Sequence, residues 1–368
     1  MVSDTTDVFK EIRPYRDDEV AGAIQRLIHD DEFIGAIAKY RFSGLSRWGG
    51  AAIRSLIRLY LGWRWRKVNS IRQVQLEVAT YMEKMIARTT SGVTYSGLEN
   101  IKPGVGYLFI SNHRDIALDP AFVNWGLHSH GLDTVRIAIG DNLLRKPCVT
   151  ELMKLNKSFI VKRSAKGPRE MMKAFSELSS YLRHSIDEGH SIWIAQKEGR
   201  AKDGDDKTDP AILKMFHMEG KRQKIPFGDY IRSLNLVPVS ISYEYDPGDL
   251  AKARELHAKA THGGYEKSEF EDIQSIVQGI VGQKGRVHVT FGQPVHGDFD
   301  NADDLAAAID REIHANYHLF PSNLLAAGQT AGVDPAAAEA FERHMTGIPA
   351  DLRERVLSMY ARPVLNKD

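Results

Sequence analysis

The sequence predicts an α/β protein with a mixed, largely parallel sheet flanked by helices and with helical N-terminal and C-terminal extensions. Between residues 91 and 294, short apolar runs rich in β-branched residues alternate with segments of helical periodicity. This alternation is typical of parallel strands joined by helical crossovers. We therefore expect a helical N-terminal region (1–90), an α/β domain (91–300) and a helical C-terminal extension (301–368).

The predicted strands share one design, in which an apolar run is followed by a polar cluster. The runs begin at Tyr107, Arg136, Ser158, Ser191, Leu236 and Val287. The clearest helix covers residues 168–188, because Pro168 suits a first helical position, apolar side chains recur on one face, and Gly189 ends the pattern. Residues 202–210 contain no large apolar side chain. They predict a mobile loop that could close over a site.

Composition sets broad limits on the protein. With 368 residues, 42% hydrophobic and 26% charged, the chain can bury a large core. Its single cysteine, Cys148, excludes an intrachain disulfide and a cysteine-rich metal site, and we expect no metal. The first 14 residues lack an apolar segment, so we expect neither secretion nor a signal anchor but a cytoplasmic protein.

A stretch without acidic residues separates Phe33 from Leu76, although the net charge of the whole chain is only +1. Its nine cations are Lys39, Arg41, Arg47, Arg54, Arg58, Arg64, Arg66, Lys67 and Arg72. Within it, residues 51–68 interleave arginines with apolar side chains, which excludes a membrane-spanning helix. The pattern predicts an amphipathic helix on an anionic membrane surface, with contacts from Arg54, Arg58, Trp63, Arg64, Trp65 and Arg66. An ordinary packed helix with arginines in water is an equal alternative. No nucleic-acid-binding motif is present.

His113 is the strongest candidate for a catalytic residue. It follows the apolar run 107–110, so it should lie just beyond the carboxyl end of a buried strand, where α/β sheets bind ligands. A nearby carboxylate, Asp115 or Asp119, could fix the imidazole tautomer and stabilise the imidazolium. A histidine in such a turn can also be purely structural.

Together the segments resemble the glycerophospholipid acyltransferase superfamily, which includes glycerol-3-phosphate and lysophosphatidic acid acyltransferases. The resemblance covers about residues 90–300. It implies that His113 is a base oriented by an Asp, that the block ending in Lys162 and Arg163 binds the acceptor phosphate, and that the strand from Leu236 lines the acyl chain. The block of Lys197, Glu198, Gly199 and Arg200 would share in phosphate binding, with Glu198 as a structural partner of one of the cations or, less favoured, as a second acid. Each basic residue could equally be an ordinary surface side chain.

The sequence departs from the family pattern in two places. Five residues, rather than four, separate His113 from Asp119, and Glu198-Gly199-Arg200 lacks the residue usually found between Gly and Arg. Asp115 is thus a rival partner for His113. We favour Asp119, because Asp119-Pro120 has the pattern of a helix N-cap followed by Pro at the first helical position.

These expectations combine into one function. An acyltransferase would move a fatty acyl group from a thioester, acyl-CoA or acyl carrier protein, to a lysophospholipid, with 1-acyl-glycerol 3-phosphate as acceptor. No other cofactor is expected. The alternatives are acylation of glycerol 3-phosphate and a non-catalytic lipid-binding protein on the same fold. We expect a peripheral protein on the inner face of the cell membrane, and the sequence does not define its oligomeric state.

Overall fold

A computed structural model describes residues 7–41, 46–268 and 271–367, and the side chains of residues 40–49 lie outside it. Two cations of the basic stretch, Arg41 and Arg47, are therefore outside the described side chains. The chain divides into two compact units. The smaller comprises Met1–Tyr81 and Arg136–Glu177, and the larger comprises Met82–Val135 and Leu178–Asp368.

Within the described residues, the larger unit contains a sheet of five strands. They are β1 (Gly92–Ser96), β2 (Leu108–Ser111), β5 (Ile192–Ala195), β6 (Leu236–Tyr243) and β7 (Arg286–Phe291), numbered in chain order. Their spatial order is β1-β7-β6-β2-β5. All pairs are parallel except the antiparallel pair of β6 with β7. The sheet is thus mixed and largely parallel, as the sequence predicts.

The centre of this sheet is buried on both faces. Every residue of β2 and β6 is buried, which explains why both strands are continuous apolar runs rather than alternating patterns. Because β5 and β6 both pair in parallel with β2, the carboxyl ends of all three strands meet at one edge. The turn that carries His113 and the segment that carries Arg200 begin at this edge.

Helices surround the sheet of the larger unit. They are α5 (Leu118–Ser129), α8 (Pro210–Phe216), α9 (Met218–Arg222), α10 (Phe227–Ser233), α11 (Asp249–His262) and α12 (Glu271–Val281). The C-terminal extension is helical as predicted, with α13 (Ala302–Asn316), α14 (Pro321–Ala326), α15 (Pro335–Thr346) and α16 (Arg353–Leu365). Phe341 of α15 and Val356 of α16 share a core cluster with Ala253 of α11.

The smaller unit combines helices with a parallel pair of strands. Its helices are α1 (Asp17–His29), α2 (Asp31–Arg41), α3 (Ser46–Arg64) and α6 (Pro147–Leu155), and β3 (Arg136–Gly140) pairs with β4 (Ser158–Val161). Leu27 of α1, Ile57 and Leu61 of α3, and Leu155 of α6 form its core. The chain passes between the units three times, within α4 (Ile71–Thr89), directly before β3 and within α7 (Pro168–Asp187). The prediction of a helix over residues 168–188 is confirmed to within one residue.

No helix in the described ranges has both the length and the apolar character that crossing a bilayer requires.

Candidate active site

His113 lies two residues beyond the end of β2 and forms a hydrogen bond with Asp119. Its Nδ1 is 2.8 Å from Asp119 Oδ2. The side chain of Asp119 is completely buried, whereas that of His113 keeps 13% exposure. An ionised carboxylate can only accept, so Nδ1 carries the proton and donates it to Asp119. Nε2 therefore presents a lone pair, as a general base requires.

Four donors hold the Asp119 carboxylate. Besides His113, the backbone N–H groups of Arg114 and Asp115 donate to Oδ2, at 2.6 and 2.9 Å. The hydroxyl of Tyr243, at the end of β6, donates to Oδ1 at 2.7 Å. The orientation of the carboxylate is therefore fixed by groups from β6 and from the turn itself.

Asp115 has a different task from Asp119. Its Oδ1 accepts the backbone N–H groups of Ala117 and Leu118, at 2.9 and 2.8 Å, at the start of α5. Asp119 lies inside the first helical turn. The prediction that Asp119 is the N-cap was thus wrong, because Asp115 satisfies the first free N–H groups of the helix. Burial and the neighbouring Asp119 charge raise the pKa of Asp115.

Two further residues fix the His113 turn. The indole of Trp193, on β5, meets the His113 ring edge-on at 5.8 Å between centroids, and its Nε1 donates to Ser111 Oγ at 3.0 Å. The buried amide of Asn112 donates to the carbonyl of Ile241 and accepts its N–H, at 3.0 and 2.8 Å. The turn is therefore attached to both strands that pair with β2.

Arg114 connects the same turn to the loop at residues 202–210. Its guanidinium donates to Asp206 Oδ2 at 2.6 Å and to the carbonyl of Gly204 at 3.3 Å, and all three residues are buried. Although burial opposes the charge, the Asp206 carboxylate raises the pKa of Arg114. Lys252 of α11 donates to the carbonyl of Arg114 at 2.7 Å. Gly204 and Asp206 of the loop predicted as a mobile lid are therefore buried and hydrogen-bonded to the His113 turn.

The second block, Lys197 to Arg200, follows β5 at the same edge of the sheet. The N–H of Ala201 donates to the carbonyl of His113 at 2.8 Å, so this block and the histidine turn are directly bonded. Lys197 Nζ donates to the carbonyl of Asp205 at 3.2 Å. Gly199 adopts φ of +77°, which favours glycine. The half-buried Arg200 guanidinium lies 3.5 Å from Ser275 Oγ on α12.

The remaining predicted phosphate ligands, Lys162 and Arg163, follow β4 in the smaller unit. Lys162 Nζ donates to Glu177 at 2.8 Å, and the backbone N–H of Arg163 donates to Asp141 at 3.1 Å. Both side chains are exposed. They belong to a different compact unit from His113, whereas the block from Lys197 to Arg200 shares its unit.

The basic helix α3 has features of both predicted alternatives, the packed helix and the membrane-binding helix. Trp65, just beyond its end, packs on Phe33 with 6.3 Å between centroids and joins the core of the smaller unit. Arg58 pairs with Asp31 at 2.5 Å and Arg64 with Glu77 at 2.9 Å. These acids lie outside the acid-free stretch, so two of the predicted membrane cations already have an acidic partner.

The opposite face of α3 is exposed and apolar. Its large side chains recur at helical spacing and are Leu56, Leu59, Tyr60 and Trp63, each more than half exposed. The guanidinium of Arg66 lies over the Trp63 ring at 5.6 Å, and Arg54 is exposed. We call these four apolar residues the α3 stripe. An apolar stripe of this size on a surface helix is a feature of interaction sites.

Two site residues were missed by the sequence prediction, Tyr243 and Trp193. A signal for Tyr243 exists, because Val239, Ile241 and Tyr243 alternate along β6 and so share one face, but the partner lies 124 positions away. Within the described residues, no cluster of three His, Cys, Asp or Glu side chains could hold a metal ion.

The chain is similar to known acyltransferases in the region that contains this site. The family model described as Acyltransferase matches residues 92–242. Proteins named glycerol-3-phosphate acyltransferase from Pseudomonas paraeruginosa (strain DSM 24068 / PA7) and Pseudomonas aeruginosa (strain LESB58) are each 24% identical over 205 residues, covering 55% of this chain and 22% of theirs. The match thus spans about a fifth of the length of these curated relatives.

A solved structure is also similar, the 1-acyl-sn-glycerophosphate (LPA) acyltransferase PlsC from Thermotoga maritima. It shares 16% sequence identity with a TM-score of 0.39, over 80% of this chain and 94% of that chain. The family match begins at β1, contains the whole His113 turn and reaches into β6. The domain that carries the His113–Asp119 pair, residues 92–242, is therefore an acyltransferase domain similar to that of glycerophospholipid acyltransferases.

Proposed function

We propose that this chain transfers a fatty acyl group from a thioester to the hydroxyl of 1-acyl-glycerol 3-phosphate, giving phosphatidic acid. The observation that carries the proposal is the 2.8 Å hydrogen bond from His113 Nδ1 to Asp119. It reserves Nε2 for the proton of an attacking hydroxyl. The thioester is acyl-CoA or acyl carrier protein, which acts as a substrate, and no further cofactor takes part.

The reaction needs the His113–Asp119 pair, the acceptor hydroxyl and the thioester. The acceptor oxygen bonds to the thioester carbonyl carbon while His113 Nε2 takes the hydroxyl proton. The tetrahedral intermediate then collapses as the C–S bond breaks, and the imidazolium returns the proton to the departing sulfur, so the products are an ester and a free thiol. Asp119 stabilises the imidazolium between the two steps. No covalent acyl-enzyme forms.

The acceptor phosphate needs cationic donors near His113. Arg200 supplies a planar guanidinium and Lys197 a compact ammonium. The hydrogen bond from Ala201 to the His113 carbonyl supports this assignment, because it keeps the adjacent Arg200 close to the base.

Glycerol 3-phosphate is the second candidate acceptor. The curated relatives bear the name of that activity, and residues 240–244 resemble that branch of the superfamily. The two acceptors differ by one acyl chain. A preference between them is therefore a difference in apolar contacts rather than in phosphate binding.

A direct assay decides among these functions. Purified protein is mixed with each acceptor, and with acyl-CoA or acyl carrier protein as donor, and the phosphorylated lipid product is quantified. We expect turnover of 1-acyl-glycerol 3-phosphate. A higher kcat/KM for glycerol 3-phosphate would replace the proposed acceptor.

His113→Ala is the matched control for the chemistry. We expect it to lose turnover almost completely and to keep its fold, because Asp119 Oδ2 retains the backbone N–H groups of Arg114 and Asp115. Wild-type turnover by this variant would refute the mechanism. A folded wild-type protein without activity on every combination would refute the function.

We also propose that the α3 stripe holds the smaller unit against the cytoplasmic face of the membrane, where a lysophospholipid acceptor lies. Its exposed aliphatic and aromatic side chains can enter the boundary between headgroups and acyl chains, and Arg54 and Arg66 can attract anionic headgroups. Arg58 and Arg64 contribute less, since each already has an acidic partner.

Vesicle binding tests the stripe. Leu59 is 71% and Trp63 61% exposed, so Leu59→Ser with Trp63→Ser should leave the fold intact. Full burial of each side chain is worth about 2 kcal/mol. Because about two thirds of each side chain is exposed and can still be buried, the pair contributes about 2.7 kcal/mol, and we expect binding to anionic vesicles to weaken by about 100-fold. Arg54→Glu with Arg66→Glu should weaken binding at low salt and matter less at high salt. Unchanged vesicle binding in the Leu59 and Trp63 variant would make the stripe an ordinary surface.

A further inference from the structure

The hydroxyl of Tyr243 meets the carboxylate that orients His113. Tyr243 ends β6 and is buried, its ring packs edge-on against Phe122 of α5 with 5.9 Å between centroids, and its hydroxyl donates to Asp119 Oδ1 at 2.7 Å. His113 binds the other oxygen of the same carboxylate. A chain of three side chains thus runs from the strand to the imidazole.

We propose that Tyr243 is a positioning residue for the His113–Asp119 pair, which fixes the rotation of the carboxylate and takes up part of its negative charge. The inference rests on the proposed function, since it concerns the same base. Tyr243 does not contact the reacting atoms. It acts through Asp119.

The donors to Asp119 show why one hydroxyl matters. Oδ2 accepts three hydrogen bonds, whereas among the described residues Tyr243 is the one donor to Oδ1. Asp119 is completely buried, so no solvent replaces a lost donor. Without the hydroxyl, one carboxylate oxygen would remain buried and unsatisfied, which is costly for a charged group.

The direction of the hydrogen bond is also fixed. Burial, together with the charges of Asp119, Asp115 and Asp246, raises the pKa of Tyr243 well above its usual value. The phenol therefore stays protonated wherever Asp119 is ionised, and it can only donate to that carboxylate. The cations near this group, Arg114 and Lys252, are bound to Asp206 and Asp246.

Removal of the hydroxyl should change the chemistry in a defined direction. A carboxylate that shares less of its charge holds the imidazolium more strongly. His113 would then remain protonated, and inactive as a base, up to a higher pH. We expect Tyr243→Phe to lower kcat by about 10-fold to 100-fold, because a carboxylate that is no longer fixed at Oδ1 can rotate and orients the imidazole less well. KM for both substrates should stay unchanged, and the acid limb of the kcat/KM profile should move to higher pH.

Tyr360→Phe is the matched control. Tyr360 is also buried, and its hydroxyl donates to Asp249 Oδ2 at 3.0 Å, while His344 binds the same oxygen at 2.7 Å. Both substitutions therefore remove a buried tyrosine hydroxyl from an aspartate that holds a histidine. The Tyr360 hydroxyl also accepts the backbone N–H of Asp246 at 2.9 Å, so Tyr360→Phe should lose at least as much thermal stability as Tyr243→Phe. Only Tyr243→Phe should move the pH profile.

Two measurements complete the test. In the Asp119→Asn background, adding Tyr243→Phe should cost little more, because the hydroxyl acts through the charged carboxylate. NMR titration of the His113 ring in Tyr243→Phe should show a midpoint at higher pH than in the wild type, and this readout needs no turnover. It therefore separates failure of the positioning role from failure of the acyl-transfer function.

The proposal would be overturned by an unchanged acid limb and an unchanged His113 titration in folded Tyr243→Phe. It would also be overturned if the losses from Tyr243→Phe and Asp119→Asn were fully additive. A fall in kcat matched by an equal fall in the folded fraction would reduce Tyr243 to a packing residue.

Discussion

Asp119→Asn removes one charge from the site and almost nothing else. The N–H groups of Arg114 and Asp115 both point at the position of Oδ2, so the asparagine must place its carbonyl oxygen there. That oxygen still accepts the proton of His113 Nδ1, and the amide nitrogen then faces the Tyr243 oxygen. The tautomer of the imidazole is therefore kept, and the variant should fold.

The expected loss is electrostatic. Two unit charges about 4 Å apart at an effective dielectric constant of about 20 attract by about 4 kcal/mol. Asparagine forfeits this attraction once His113 becomes charged. Since 1.36 kcal/mol corresponds to tenfold in rate, the upper limit is about 10³-fold. We expect kcat to fall by about 10²-fold to 10³-fold, with KM for both substrates near its wild-type value.

Asp115→Asn is the control for the expected fall in kcat of Asp119→Asn, because it also replaces a buried carboxylate in the same turn. Its amide oxygen can still accept the N–H groups of Ala117 and Leu118, so its activity should stay within about threefold of the wild type. Steady-state kinetics on both variants, with circular dichroism to verify folding, provides the assay. If Asp119→Asn retains more than a tenth of wild-type kcat, or Asp115→Asn is the more damaging, the charge-stabilisation argument fails.

Two further substitutions probe the walls of the site. Arg200→Lys keeps the charge but loses the planar guanidinium, and it should raise KM for the phosphorylated acceptor by about tenfold with little effect on the donor; steady-state kinetics would count against this role if only the donor KM rose. Gly279→Ala would place a Cβ against the Asp115 carboxylate, and it should destabilise the protein by about 1–3 kcal/mol in thermal unfolding, whereas Gly62→Ala, whose Cβ would meet nothing within 4 Å, should not. Equal stability of the two alanine variants would refute the packing of α12 on Asp115.

Local patterns predicted the sheet and the position of the base. Buried parallel strands are continuous apolar runs, so β2 and β6 stand out in the sequence, and the residues just beyond them fall at the ligand-binding edge. The α7 helix was predictable because its apolar face and its Pro and Gly boundaries are all local.

Long-range pairing could not be predicted in the same way. Tyr243 reaches Asp119 across 124 positions, and no local pattern encodes that contact. Either Asp115 or Asp119 could have accepted the first N–H groups of α5. The path of the backbone places Asp115, rather than Asp119, within reach of them. The basic stretch looked unopposed because Asp31 and Glu77 lie just beyond its ends.

The hydrogen bond between Ala201 and His113 joins two loops, the turn after β2 and the segment after β5, into one structural unit. The histidine turn is one residue longer than the family pattern, and the Glu198-Gly199-Arg200 segment is one residue shorter. Both loops leave strands paired at Ser111 and Ala195, and the bond from Ala201 closes them into a ring. A chimera that takes one loop from a relative with ordinary spacing would put this ring out of register, whereas one that takes both would keep it closed. We therefore expect that the two loops have to be exchanged together.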